Sequence, residues 1–221
     1  MDIIEAITSR WSCRAFLDKP VSPDDIRKIL DTARWAPSGT NTQPWQVAVV
    51  TGKTKQKITD ALIQARQDKL PEHPDYGYYP AQWREPYKSR RKTTGLALYG
   101  ALGIKKDDPG GRMKAWNNNY HFFGAPAGLL FFIDEDLNKG SWLDMGMFMQ
   151  NTMLAARGLG LATCPQFSLA EYPDIVRDIL AIADGKLLVA GMSLGYPDTQ
   201  HPVNNYRLER EPVDSFTGWY D

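Results

Sequence analysis

Cysteine, histidine and excess charge of either sign are all scarce in this 221-residue sequence. Two cysteines, Cys13 and Cys164, cannot form a disulfide framework or a cysteine-rich metal site. The three histidines are scattered without the spacing of metal ligands, so we predict no metal site. Lysine plus arginine equals aspartate plus glutamate at 26 each, which argues against a nucleic-acid partner, since basic residues predominate in such proteins.

The sequence also lacks a long apolar run. No window approaches the roughly 18 continuous apolar residues of a membrane span, so we expect no membrane partner. The first residues, Met1 to Glu5, are acidic and mixed, unlike a signal peptide, and a cytoplasmic location is the expectation. Apolar content of 43% and charged content of 24% are typical of a globular protein. No composition break divides the chain, so we predict one domain over residues 1–221.

Hydrophobic periodicity and capping signals predict helices and about four strands in alternation. Ser22 is a good N-cap for a helix that begins at Pro23, with Ile26, Ile29, Leu30 and Ala33 on one face. The other predicted helices cover 2–9, 53–67, 141–158 and 173–182. The assigned strands cover 46–51, 127–133 and 186–193.

Two regions depart from this pattern. Residues 68–120 are rich in proline, tyrosine, tryptophan and basic residues, and we predict a partly helical excursion that covers the active site. The helix over 141–158 is apolar on most of its circumference, which is typical of a helix buried either in a core or in a subunit interface.

Three short segments could carry chemistry. Arg10-x-Ser12-x-Arg14 offers two guanidinium forks and a hydroxyl that suit a phosphate, although solvated basic turns of this kind are common. Between a helix and a strand, Asn41 and Gln43 offer the donors and acceptors that the rim of a uracil-like ring requires, although a polar turn has the same composition.

The third segment runs from Gly158 to Gln166. Its glycines allow close approach of backbone amides to a ring edge, or simply end a helix. It is not a dinucleotide-binding fingerprint, because it lies at a helix end and lacks a third glycine.

Taken in order, these segments resemble the FMN-dependent nitroreductase family, and the similarity covers almost the whole chain. The matching residues are Arg10-x-Ser12-x-Arg14, Pro37-Ser38-x-x-Asn41-x-Gln43-Pro44-Trp45, Phe123-Gly124-Ala125-Pro126, Asp144 and Gln150, Gly158-Leu159-Gly160, Cys164-Pro165, Gly195-Tyr196-Pro197 and Arg210-Glu211-Pro212.

The resemblance implies an α+β, nitroreductase-like fold with a central, mainly antiparallel sheet flanked by helices. It implies a homodimer with two FMN molecules at the interface and a C-terminal tail swapped onto the partner. Arg10, Ser12, Arg14 and Arg210 would hold the FMN phosphate, together with Arg207. Ser38, Asn41 and Gln43 would meet the flavin from their loop, and Pro165 and Gln166 would contribute backbone near the ring. Trp11 and Cys13 occupy variable places in the first motif and receive no role.

The resemblance further implies a ping-pong reaction in which NADH or NADPH reduces the flavin and a nitroaromatic or quinone acceptor is then reduced. The cofactor carries out the redox step, so we expect no essential acid or base among the side chains. Tyr120 and Phe123 are candidates for the surface on which the acceptor stacks. The same fold could instead serve dehalogenation, ene reduction or flavin breakdown, and a non-catalytic flavin carrier or sensor is a further alternative.

Overall fold

A four-stranded antiparallel sheet lies at the centre of the computed structural model, which describes residues 1–221. The strands are β1 (Gln46–Thr51), β2 (Ala127–Asp134), β3 (Ala162–Gln166) and β4 (Lys186–Gly195), in the order β1-β2-β4-β3. The three assigned strands are confirmed within two residues. The sequence does not identify β3 as a strand, because Gly160 and Pro165 are typical of turns. β3 lies at a sheet edge, where proline is tolerated.

Seven α-helices surround the sheet, so the predicted α+β class is confirmed. Ser22 caps its helix as predicted, because its hydroxyl accepts a hydrogen bond of 3.0 Å from the Asp25 amide. The helices are α1 (Ile3–Ser9), α2 (Pro23–Ala33), α3 (Gly52–Gln67), α4 (Tyr87–Ala101), α5 (Pro109–Asn117), α6 (Lys139–Gly158) and α7 (Pro173–Leu180). None of these helices combines the length and the apolar composition that crossing a bilayer requires.

The sheet has a hydrophobic core on each face. Side chains alternate along β2, so Leu129 and Phe131 pack with α2 and α6, whereas Leu130 and Phe132 pack with α3 and α7. Both faces are therefore covered, which explains why β2 is a continuous apolar run instead of an alternating one.

Several large apolar side chains of the single chain remain exposed. On α6, Met145 and Phe148 are buried in the core, but Leu143 is 72% exposed. In the tail, Trp219 and Tyr220 are 79% and 96% exposed. Apolar surface of this extent is typical of a face that another protein surface covers.

The excursion over 68–120 contains α4 and α5 and is joined to the core by a buried polar network. The Tyr120 hydroxyl donates a hydrogen bond to the Glu171 carboxylate, and the Arg66 guanidinium lies 3.3 Å from the same hydroxyl. The Thr59 hydroxyl donates to the Tyr120 carbonyl at 2.8 Å. These bonds fasten the end of the excursion to α3 and to the segment before α7.

The predicted role of Tyr120 as a stacking surface is wrong, because its ring is fully buried in the core beside α3. Phe123 differs from Tyr120, because it belongs to neither core cluster and lies beside a residue of the arginine-rich segment. It is 7% exposed, and the Arg14 guanidinium lies 5.9 Å from its ring centroid. Its role as a stacking surface stays a prediction.

The segment over 10–17 is held between β3 and the start of the tail. The Cys13 amide donates a hydrogen bond of 3.0 Å to the Thr163 carbonyl of β3. On the other side, the Leu17 amide donates to the Tyr196 carbonyl at 2.9 Å. This segment is therefore joined on both sides by isolated β-bridges, Ser12 with Thr163 and Phe16 with Pro197, without forming a strand.

Asn204 completes this attachment. Its buried side-chain amide donates to the carbonyls of Ala15 and Asp198, both at 2.8 Å, and its oxygen accepts from the Arg14 amide at 2.9 Å. One side chain thus satisfies three backbone groups from two distant parts of the chain, which is a demanding arrangement to replace.

We predict that Asn204→Ala lowers the free energy of unfolding by roughly 2 kcal/mol, because it removes three hydrogen bonds and leaves the Arg14 amide without a partner. The Ala15 and Asp198 carbonyls still accept from the amides of Asp198 and His201. Urea denaturation followed by circular dichroism measures the change. The matched control is Asn205→Ala, since the neighbouring side chain is exposed and makes no such contacts. Equal stability of the two variants would contradict the role given to Asn204.

Glu171 predicts a pH dependence of stability. Burial raises the pKa of its carboxyl to about 7 from the usual 4.5, so the folded state keeps a proton that the unfolded state loses. This contribution is fully present below pH 4.5 and is lost as the pH rises to about 7. The free energy of unfolding of the wild type, relative to Glu171→Gln, should fall by ~1–3 kcal/mol between pH 4.5 and pH 8.

Urea titrations of both proteins at several pH values measure this difference. Glu135→Gln serves as the control, because Glu135 is exposed. A wild-type difference that is independent of pH would show that Glu171 is ionised in the folded state throughout this range.

Candidate active site

A cavity of ≈670 Å³ lies where the residues after α1 meet the C-terminal tail. It brings together five of the ten predicted cofactor-binding residues, which come from the two ends of the chain. These are Arg10, Ser12, Arg14, Arg207 and Arg210. The attachment of segment 10–17 to β3 and to the tail is what places these residues together.

The cavity has an excess of positive charge. None of its four arginines forms a salt bridge. Burial, and secondarily the nearby charge of Arg210, lower the pKa of Arg10. Guanidinium groups that are partly desolvated and close to one another gain stability from a bound anion, which removes their mutual repulsion. The residues present therefore fit the phosphate of FMN.

Backbone carbonyls orient these arginines without neutralising them. Arg14 donates to the Ser12 carbonyl at 3.3 Å, and Arg210 donates to the Leu208 carbonyl at 3.0 Å. Arg207 donates to the Asn204 carbonyl at 2.8 Å. A carbonyl is a neutral acceptor, so the full charge of each guanidinium remains available to an anion.

Trp11 has a position that the sequence did not reveal. Two guanidinium groups contact its ring, with Arg207 at 4.6 Å and Arg157 at 5.1 Å from the ring centroid. Cation–π contacts of this kind hold a charged side chain in place without an opposing charge. Trp11 therefore lines the cavity and positions Arg207, although it occupies a variable place in the motif.

Further residues to which the sequence assigns no role also line the cavity, among them Thr94, Gln150 and Tyr206. Gln150 belongs to one of the matching motifs, so a signal existed for it. Thr94 lies in α4, within the excursion, where nothing in the sequence distinguishes it. Its presence shows that α4 borders the cavity.

Ser38, Asn41 and Gln43 lie elsewhere, in the loop between α2 and β1, and do not line this cavity. The Ser38 hydroxyl accepts a hydrogen bond of 3.0 Å from the Gln43 amide, and the Gln43 side chain donates to the Asn41 carbonyl at 3.0 Å. The side chains of Asn41 and Gln43 are exposed.

The backbone of this loop is strained. Asn41 and Gln43 have φ angles of 60° and 50°, in the left-handed region that costs a residue other than glycine about 1 kcal/mol or more. The Gly39 amide, which donates to the Asp144 carboxylate of α6 at 3.2 Å, helps to hold the loop in this form. Strain of this kind is commonly retained where a loop must present its groups to a ligand.

Pro165 and Gln166 lie in β3, next to segment 10–17. The Gln166 side chain is buried and engaged, since it donates to the Asn119 carbonyl at 2.8 Å and accepts from the Ser193 hydroxyl. Both polar groups of its side chain are therefore used in hydrogen bonds within the protein, so only the backbone of Gln166 is free to contact a cofactor.

Comparison with known proteins identifies the family to which this chain belongs. The family model for the nitroreductase family matches residues 7–196. A 4-nitrobenzoate reductase from Pseudomonas putida is 43% identical over 216 residues, which cover 98% of this chain and 94% of that protein. A nitrobenzene nitroreductase from Ectopseudomonas oleovorans is 38% identical, with 97% and 95% covered.

Among solved structures, the FMN- and NADPH-dependent nitroreductase NfnB from sphigopyxis sp. strain HMH superposes with a TM-score of 0.97 at 38% identity. The match covers all of both chains. The predicted fold is confirmed by this agreement, and the chain belongs to the nitroreductase family.

Proposed function

We propose that this protein is an FMN-dependent oxidoreductase that uses NADH or NADPH to reduce nitroaromatic compounds. The observation that carries the proposal is the cavity whose four arginines have no acidic partner. The names of the relatives support it, since two of them are reductases of 4-nitrobenzoate and of nitrobenzene, and the matching structure is FMN- and NADPH-dependent.

The side chains of this site bind and orient. Arg10, Arg14 and Arg210 hold the FMN phosphate, with Ser12 as a neutral donor and Arg207 positioned by Trp11. FMN, when bound, supplies the redox chemistry that links a nicotinamide to a nitro group. We expect no essential acid or base among the side chains.

We also propose that the protein acts as a homodimer with two FMN molecules at the interface. In one chain the arginine cavity and the Ser38–Gln43 loop are separate, so a second copy must supply one of them if both contact the same flavin. The exposed apolar residues of α6 and the tail fit such an interface. A cavity of ≈1070 Å³ beside the edge strand β1 offers space for the partner's tail.

The first experiment is direct. The purified protein should be yellow, and it should oxidise NADH or NADPH when a nitroarene is added, because bound FMN connects the two reactions. Absorbance at the nicotinamide band measures the rate, and product analysis identifies the hydroxylamine. A colourless protein that FMN cannot reconstitute would overturn the proposal, and tight FMN binding with negligible turnover would indicate a carrier instead.

A second experiment tests the arginine cavity. Arg10→Ala removes a charge-assisted contact, so the FMN dissociation constant should rise roughly tenfold or more. Quenching of flavin fluorescence measures this constant without turnover. Lys57→Ala is the control, since Lys57 is an exposed cation that lines neither of the two cavities.

Mixed dimers extend this test to the second copy. Asn41→Ala alters the other half of the proposed site. A dimer of one Arg10→Ala chain and one Asn41→Ala chain has one site with both defects and one site with neither, if each flavin contacts both chains. Half of its sites should then bind FMN with wild-type affinity. A mixed dimer in which every site is weakened would show that the site lies within one chain.

A further inference from the structure

α4 carries side chains of the excursion to the edge of the arginine cavity. Thr94 lines the cavity, and Arg91 precedes it by three residues, so the two lie on neighbouring positions of one helix face. Tyr87 precedes Thr94 by seven residues and continues the same face. Arg91 therefore lies about one helical turn from the lining of the cavity.

The start of α4 is strongly basic in a chain whose net charge is zero. Between Arg84 and Lys92 there are five cationic residues and one acidic residue, Glu85. Arg90 is neutralised, because it forms a salt bridge of 2.9 Å with Glu211 of the tail. Arg91 forms no salt bridge, and its side chain makes no hydrogen bond. It is thus a guanidinium near the site without an anion.

A row of aromatic rings leads to Arg91, and we call it the aromatic strip: Phe167, Tyr78, Tyr79 and Trp83. Ring centroids lie 4.7 Å apart for Phe167 and Tyr78, 4.7 Å for Tyr78 and Tyr79, and 5.6 Å for Tyr79 and Trp83. The Arg91 guanidinium lies 5.5 Å from the Trp83 ring. The strip therefore ends in a positive charge.

The other end of the strip lies beside the proposed flavin. Phe167 directly follows Gln166, whose backbone is proposed to lie near the ring. Tyr78 and Tyr79 are each 54% exposed, so their surface is open to a ligand. Burial raises the pKa of Tyr79, and the charge of Arg91 opposes that shift.

We propose that Arg91 and the aromatic strip select acceptors that carry a carboxylate on the aromatic ring. The exposed ring surfaces of the strip pack against the ring of the acceptor, and the guanidinium pairs with both oxygens of the carboxylate. This inference rests on the proposed function and makes Arg91 a specificity-determining residue, with no part in the chemical step. A single unpaired guanidinium suits a singly charged carboxylate, whereas the phosphate cavity uses several.

The test compares two acceptors that differ in one charge, 4-nitrobenzoate and its methyl ester, on the FMN-loaded protein. Arg91→Ala should lower kcat/KM for 4-nitrobenzoate about tenfold, mainly through KM, and leave the ester within about twofold. Arg91→Lys should restore part of the loss, because it keeps the charge but not the two-pronged geometry. Lys92→Ala, which removes an adjacent cation, is the matched control.

Salt gives an independent measurement. The KM for 4-nitrobenzoate should rise with ionic strength in the wild type and much less in Arg91→Ala, while the KM of the ester stays constant. If Arg91→Ala lowers kcat/KM for both acceptors equally, or for neither, the inference is wrong although nitroreduction itself stands. It is also wrong if the variant instead loses a preference for NADPH over NADH, since the guanidinium would then bind the 2′-phosphate of NADPH.

Binding without turnover separates this inference from the proposed function. Benzoate, which carries the carboxylate but no nitro group, should perturb the visible spectrum of bound flavin, and Arg91→Ala should raise its dissociation constant about tenfold. Benzamide provides the neutral comparison. This titration decides the carboxylate site even if no nitroarene is reduced, and equal binding of benzoate by wild type and variant would overturn it.

Discussion

The uncompensated positive charge of the arginine cavity is the constraint on which the rest of the structure depends. Arg10 and Arg210 are distant in sequence, and their positive charges repel each other. They stay close together only if other contacts stabilise the fold by more than this repulsion destabilises it. The pairing of segment 10–17 with β3, and the three hydrogen bonds of Asn204, provide that restraint. The sheet behind them is rigid because both of its faces are covered by helices.

Much of this fold could be predicted from the sequence where one physical signal dominates. The β-branched run of β1 and the apolar run of β2 identify strands, and Ser22 with Pro23 identifies the start of α2. β3 could not be predicted as a strand because its local residues are typical of a turn, and only its pairing with β4 makes it a strand. Local sequence carries no information about such pairing.

In the candidate site, too, features with a local signal are predictable, and contacts between distant residues are not. Composition suggests a phosphate for Arg10 and Arg14, but it cannot show that Arg210 joins them or that Arg157 and Arg207 both contact the Trp11 ring, since these contacts link distant parts of the chain. The error at Tyr120 has the same origin. Its burial depends on Arg66 and Glu171, which are 54 and 51 residues away in sequence. Family resemblance supplied the grouping that local chemistry could not.

The wide separation of the cavity's arginines in the sequence has a consequence for biosynthesis. Arg10 and Arg210 line the same cavity, and Arg210 is made long after Arg10. A nascent chain therefore cannot assemble this anion-binding site until Arg210 has left the ribosome. A chain truncated before Arg210 would lose both part of the anion-binding charge and the stabilisation that a bound ligand adds to the folded state.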